Sequence, residues 1–204
     1  MRVYAIILAA GEGLRFGGKT PKCFLMVKGK PLFLYSLDVF QKIHIIKKIV
    51  LVVPEAYKSK LIIKDKRIKV IAGGKTRNES FEKAMRSLRN LERNDKILIH
   101  DGARPNVLQQ DILRLINSNE DFGTLCYIGG PNDSDLRYLN YNIQTPQICR
   151  NFVYKKAKKD KENGKDLFTY LNLKPSAKNF IISSNQEQNF KVTFPQDLEK
   201  LKSL

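Results

Sequence analysis

An apolar run, Val3-Tyr4-Ala5-Ile6-Ile7-Leu8, passes without a polar residue into Ala9-Ala10-Gly11-Glu12-Gly13-Leu14-Arg15. A continuous apolar run of this length marks a strand buried on both faces, as in a parallel sheet covered by helices on either side. The small residues Ala9, Ala10, Gly11 and Gly13 then let a turning backbone approach a ligand closely. Its N–H groups can face phosphate oxygens. Arg15 and, farther on, Lys22 add two cations beyond the turn. A loop of this build suits a nucleoside triphosphate, and the cations suit charge that grows during a reaction.

The rest of the chain alternates strand and helix patterns. Strands are predicted at 50–53, 68–72, 97–99 and 124–128, and helices after Thr76, over 111–116 and from about Arg150. Thr76 and Glu79 have capping-box spacing and are assigned to the helix start. Phe81, Ala84, Met85 and Leu88 form that helix's apolar face. The alternation predicts an α/β fold, Rossmann-like, with a mostly parallel mixed sheet flanked by helices. Ligands in such sheets bind beyond the carboxyl ends of the strands. The Gly11 loop, the Gly74 loop and Asp101 all fall at such ends.

Three loop types compete for the first glycine-rich segment. The dinucleotide pattern G-x-G-x-x-G fits Gly11 and Gly13 and fails at Phe16, where the helix-packing glycine belongs. The P-loop pattern is met by Gly13, Gly18, Lys19 and Thr20, with 96–101 as its second strand. A P-loop needs a helix to start at the Lys-Thr pair, and Pro21 pushes Thr20 out of the helical region. The third pattern is L-A-A-G-x-G-x-R, a spacer and P-K, here Leu8 to Arg15 and then Pro21-Lys22.

Four further segments go with it: Gly73-Gly74-Lys75-Thr76-Arg77-Asn78-Glu79-Ser80, His100-Asp101-Gly102-Ala103-Arg104-Pro105, Gln144-Thr145-Pro146-Gln147, and Asn189-Phe190-Lys191-Val192-Thr193-Phe194-Pro195-Gln196-Asp197-Leu198. With these motifs in order from Val3 to Leu201, the chain resembles the 2-C-methyl-D-erythritol 4-phosphate cytidylyltransferase family of the non-mevalonate isoprenoid pathway. The resemblance implies a nucleotidyltransferase that moves CMP from CTP to a polyol phosphate and uses magnesium. A relative acting on ribitol 5-phosphate shares nearly every motif and stays open as an alternative. From other classes, a P-loop NTPase would hydrolyse nucleotide without an acceptor, and a basic binding module would show no turnover.

Roles follow residue by residue from the resemblance. Arg15 and Lys22 hold the triphosphate and stabilise the transition state, and Lys191 positions the acceptor phosphate. Ala9, Ala10, Gly11, Gly13 and Gly102 belong to the nucleotide-binding set. Gly74 and Ser80 read the base, Ser80 with a compact hydroxyl. Asp101 contacts the ribose or the magnesium shell, and Arg104 sits beside the acceptor; each reads equally as a structural loop residue. His100 reads as a packed strand-end residue.

The chain departs from the family at four places. Lys75 replaces an acidic residue. Lys165-Asp166 stands for part of an acceptor-binding motif. Ser134 takes the place of a threonine. The segment 131–145, a β-arm that in the family crosses to the other subunit, is shortened, although Arg137 keeps its spacing before Thr145.

Composition bounds this reading. At 204 residues the chain is expected to form a single domain, 1–204, and no run reaches membrane-spanning length. Three cysteines without CxxC spacing fit a reducing cytoplasm. Cys126 is expected in the core and Cys23 near the site. The net charge of +17 comes mainly from lysines on predicted helix surfaces, with no nucleic-acid motif beside them. A field of that sign attracts anionic small substrates. The expected assembly is a homodimer held by a smaller arm contact.

Overall fold

The apolar run that opens the chain forms β1 (Val3–Leu8), buried along its whole length. The computed structural model describes residues 1–11, 16, 20–128, 141–159, 179–183 and 189–201. After β1 come a short 3-10 turn (Lys22–Phe24) and a ribbon of β2 (Met26–Val27) and β3 (Lys30–Pro31). Next are α1 (Leu32–Gln41), β4 (Ile46–Val53), α2 (Glu55–Lys58), β5 (Ile68–Ala72), α3 (Arg77–Ser87) and β6 (Lys96–Asp101). The chain continues through α4 (Gln109–Asn117), β7 (Phe122–Ile128), β8 (Tyr141–Arg150), α5 (Asn151–Lys159), β9 (Asn179–Ser183) and a last 3-10 turn (Pro195–Leu201).

Among the described residues, seven strands form one sheet in the order β5-β4-β1-β6-β8-β7-β9. β1 runs parallel to β4 and β6, β4 to β5, and β7 to β9, while β8 is antiparallel to both neighbours. The mostly parallel mixed sheet expected from the sequence is therefore present. From β1 the chain winds outward to β4 and β5, then crosses back to β6 on the other side. The order reverses between β1 and β6, so the crevice for ligands lies over the carboxyl ends of these two strands.

Side chains alternate between the two faces, as the period of a strand demands. Ala5, Ile7, Leu51 and Leu98 pack with Phe33, Leu37 and Phe40 of α1 and Ile112 and Leu115 of α4. Tyr4, Ile6, Val50 and Ile99 pack with Phe81, Ala84 and Met85 of α3 and Val153 and Tyr154 of α5. Neither face of β1 meets water, which is why its sequence shows no alternation. At the amino edge, Asp95 accepts from the Arg2 backbone N–H at 2.8 Å and from its guanidinium, tying the starts of β1 and β6 together.

The expected bounds of β4, β6, β7 and α4 move outward at one end or both. β4 starts at Ile46 rather than at 50, because Lys47 and Lys48 extend the strand toward solvent and hide its start. The capping box closes differently. Thr76 Oγ1 accepts the Glu79 N–H at 3.1 Å as expected, but the Glu79 carboxylate accepts from Lys75 N–H at 2.9 Å rather than from Thr76. No helix among the described residues is long and apolar enough to cross a membrane.

Candidate active site

Five chain segments meet over the crevice and line a cleft of about 470 Å³. Leu8, Ala10 and Gly11 form its floor, Gly74, Lys75, Thr76, Arg77 and Ser80 one wall, and Asp101, Ala103, Lys191 and Thr193 the other, with Lys22 and Cys23 alongside. The floor and first wall touch so closely that glycine is required at 73. A Cβ there would lie 2.3 Å from Ala10 Cβ and 2.9 Å from Ser80 Oγ. The Ser80 hydroxyl accepts the Gly74 N–H at 3.0 Å, which fixes the loop and leaves the hydroxyl proton to donate to a ligand. Lys83 from α3 donates to the Gly73 carbonyl at 2.7 Å.

Asp101, at the end of β6, organises the second wall. Its Oδ2 accepts from Lys191 Nζ at 2.7 Å and its Oδ1 from Arg77 Nε at 3.1 Å. Its backbone N–H donates to Thr145 Oγ1 of β8 at 3.0 Å. Burial would push this carboxyl up; the Arg77 and Lys191 charges and the Lys191 hydrogen bond outweigh it and hold the group well below the usual carboxylate range. It is ionised at neutral pH. Lys191 is placed by its neighbours: Val192 N–H donates to the Ala103 carbonyl at 2.9 Å, and Asp197 accepts from the N–H groups of Thr193 and Phe194 at 2.7 and 2.8 Å.

Arg104 is buried and donates through Nη1 to the Asn189 carbonyl at 2.8 Å, while Asn189 Nδ2 donates to the Thr145 carbonyl at 2.8 Å. Arg104 therefore braces the segment that carries Lys191. Ala9 and Gly102 pack against each other behind the cleft: a Cβ on Gly102 would sit 3.1 Å from Ala9 Cβ. His100 is fully buried against Phe40, with Nε2 at 3.0 Å from the Arg104 carbonyl. Burial lowers its pKa to about 4, so it is a neutral packing residue, as the sequence implies. Cys23 does reach the site, but burial pushes its thiol up to about 12, so it does not act as a thiolate.

Of the candidate site residues, Ala10, Gly11, Lys22, Gly74, Ser80, Asp101 and Lys191 thus come together on one cleft. Gly13, Arg15, Ser134, Arg137, Lys165 and Asp166 lie outside the described residues, as does the Cys126 side chain. Arg77 was given no role in the sequence reading, and its partner is 24 positions away. The signal was its place inside the glycine loop motif, one residue after a helix cap. The P-loop alternative fails on geometry. After Thr20 the chain enters Pro21 in extended conformation and then a three-residue 3-10 turn, and among the described residues the first α-helix past β1 starts at Leu32. Among the described residues, no helix N-terminus stands where a P-loop would put one.

On the described lining, Lys22, Lys75, Arg77 and Lys191 face Asp101 as the one acid, so the cleft suits an anionic ligand. No group of three or more His, Cys, Asp or Glu comes together among the described residues. A magnesium ion that takes most of its ligands from phosphate oxygens and water, with one protein carboxylate, fits this donor set.

The family model described as IspD, 2-C-methyl-D-erythritol 4-phosphate cytidylyltransferase, matches residues 3–128. The 2-C-methyl-D-erythritol 4-phosphate cytidylyltransferase of Caldicellulosiruptor bescii is 36% identical over 220 aligned positions, covering 97% of this chain and 95% of that protein. Among solved structures, the bifunctional IspDF from Campylobacter jejuni superposes with a TM-score of 0.79 at 28% identity over 98% of this chain. This chain spans about half of that protein, 54% of its length. The 2-C-methyl-D-erythritol 4-phosphate cytidylyltransferase of Francisella tularensis superposes with a TM-score of 0.80 at 23% identity, covering 100% of this chain and 99% of that one, a likeness of fold.

Proposed function

This chain belongs to the 2-C-methyl-D-erythritol 4-phosphate cytidylyltransferase family, and we propose from that membership that it transfers CMP from CTP to 2-C-methyl-D-erythritol 4-phosphate. The products are 4-diphosphocytidyl-2-C-methyl-D-erythritol and pyrophosphate. The observation that carries this reading is the cleft itself, which joins a small-residue loop, a glycine–serine loop and a cation-flanked carboxylate over the β1–β6 crevice.

An oxygen of the acceptor phosphate attacks the α-phosphorus of CTP, and the bond from that phosphorus to the bridging oxygen breaks as pyrophosphate leaves. Two anions must meet, so cations on the protein offset their repulsion. Positioning and charge stabilisation do most of the work in such transfers. The exposed backbone from Ala10 to Gly11 receives the triphosphate. Arg15 and Lys22 stabilise charge on the phosphates and the leaving group. Gly74 and Ser80 read the cytosine, and Lys191 draws in the acceptor phosphate. Asp101 is the residue that would hold magnesium, and the bound ion would draw charge from the phosphate oxygens as they separate.

Two free, buried thiols, Cys23 and Cys149, accord with work in a reducing cytoplasm. We place Arg137 in a neighbouring subunit's site and take the working unit to be a homodimer.

The test is pyrophosphate release across four nucleoside triphosphates, with 2-C-methyl-D-erythritol 4-phosphate and ribitol 5-phosphate as acceptors and magnesium present or chelated. CTP with the methylerythritol phosphate is expected to be the preferred pair, with no release under chelation. Preference for ribitol 5-phosphate would move the acceptor assignment to the alternative. Nucleotide hydrolysis without any acceptor would overturn the transferase reading.

A further inference from the structure

Arg77 is the first residue of α3, immediately after the Thr76 cap, and α3 follows β5. Asp101 ends β6, and β4 and β1 lie between β5 and β6 in the sheet. Three strand spacings amount to about 14 Å. The Arg77–Asp101 ion pair spans this gap because α3 packs across β1 and β4, so its first turn overhangs the crevice. The pair therefore joins the two walls of the cleft above the floor formed by Leu8, Ala10 and Gly11.

Asp101 is in this way tied to three distant parts of the chain. Oδ1 receives Arg77 from the nucleotide-side loop, and Oδ2 receives Lys191 from the acceptor-side segment. Its backbone N–H is held by Thr145. Each carboxylate oxygen has one cation, so the position of either cation constrains the other through a single planar group. Removing Arg77 still leaves Asp101 paired with Lys191 at 2.7 Å, so no buried charge is abandoned and the fold has no reason to fail. The Arg77 side chain is also 36% exposed, against 11% for Asp101.

Resting on the reaction proposed above, we propose that Arg77 is a positioning residue. It clamps Asp101 from the nucleotide-side wall, so that nucleotide ordering of the Gly73–Ser80 loop presets Lys191 for the acceptor. Nucleotide and acceptor then reinforce each other's binding through one shared carboxylate, a reciprocal coupling.

The experiment measures calorimetric binding of 2-C-methyl-D-erythritol 4-phosphate with and without α,β-methylene-CTP, which cannot release pyrophosphate, in the presence of magnesium. For the unaltered protein, the nucleotide analogue is expected to tighten acceptor binding by about tenfold or more, within the usual range of site coupling. Arg77→Gln is expected to lose most of that factor while its melting midpoint stays as it was. Arg77→Lys keeps the charge but not the planar fork and should fall between the two; it carries the comparison if the Gln variant does not fold. Full coupling in the variants, or a loss confined to nucleotide affinity, would overturn the proposal and leave the reaction standing. Failure of the unaltered protein to bind the polyol phosphate at all would refute the reaction and this role with it.

Discussion

Lys22 and Lys19 stand three positions apart and are expected to behave very differently when removed. Lys22 lines the cleft, and Lys22→Ala should lower kcat by about two orders of magnitude or more, the scale seen when a group that stabilises developing charge is lost. Arg15→Ala should do the same. Lys19→Ala should have a mild effect, since it matters only to the P-loop geometry that the turn after Thr20 rules out. Steady-state kinetics on the three variants checks this, and a near-normal kcat for Lys22→Ala would remove its assignment. His100 supplies a second residue-scale expectation. It is neutral in both folded and unfolded chains above its ordinary pKa of 6.5, and the unfolded chain takes up a proton first as pH falls, because burial holds the folded value at about 4. Stability should therefore drop between pH 6.5 and 4 by up to about 3 kcal/mol and lose no more from this group below that. Urea unfolding across this window should show the slope, and His100→Gln should flatten it. Lys22, Asp101 and Lys191 reach the cleft as the motifs of the resemblance place them; taken alone, Lys191 between Phe190 and Val192 reads as the polar side of an alternating strand. Arg77 and Asn189 lie in the same motifs, but their partners come from other segments, and no spacing along the chain reveals that.

β8 shows what an element adds that a motif does not. Gln144-Thr145-Pro146-Gln147 carries a proline inside the run, which counts against a strand in any reading by pattern. The structure places it between β6 and β7, with a register slip at the β7 positions Thr124 and Leu125 that accommodates it. From there Thr145 accepts the Asp101 N–H. Thr145→Val keeps the shape and removes the acceptor, leaving a buried N–H unpaired at a cost of about 1–3 kcal/mol. Denaturant unfolding should report that loss, and kcat should fall as Asp101 loses its anchor; an unchanged midpoint would mean that another group takes the N–H. Elements with a uniform character were the legible ones. β1 and β5 have the predicted ends; in β1 an apolar run buried on both faces leaves no ambiguity. α1 was not predicted because Leu32-Phe33-Leu34-Tyr35 is apolar on every side and its helix opens at Pro31 without a side-chain cap.

At the scale of the whole molecule, the family model's match stops at residue 128, where β7 ends. The Caldicellulosiruptor bescii relative aligns over 220 positions against 204 residues here, so that protein carries residues this chain lacks. Whether Arg137 serves a neighbouring subunit is decided by mixing two inactive variants, Arg137→Ala and Lys22→Ala. Partial recovery of activity is expected; none, with subunit exchange demonstrated, would mean that Arg137 acts in its own chain or not at all. The strand order has a last consequence, for the order of synthesis. Every described residue on the cleft except Lys191 and Thr193 has been made by Ala103. Yet β6 borders β1 on one side and β8 on the other, so until residues 141–150 leave the ribosome its outer edge has no partner. An open edge flanked by Ile97, Leu98 and Ile99 is a template for pairing with other chains. A chain released at Ile128 should hold most of the nucleotide subsite and still aggregate. The last strand to reach β6 is thus what makes the enzyme safe to finish, and a translational pause between 128 and 150 would fall at its most exposed moment.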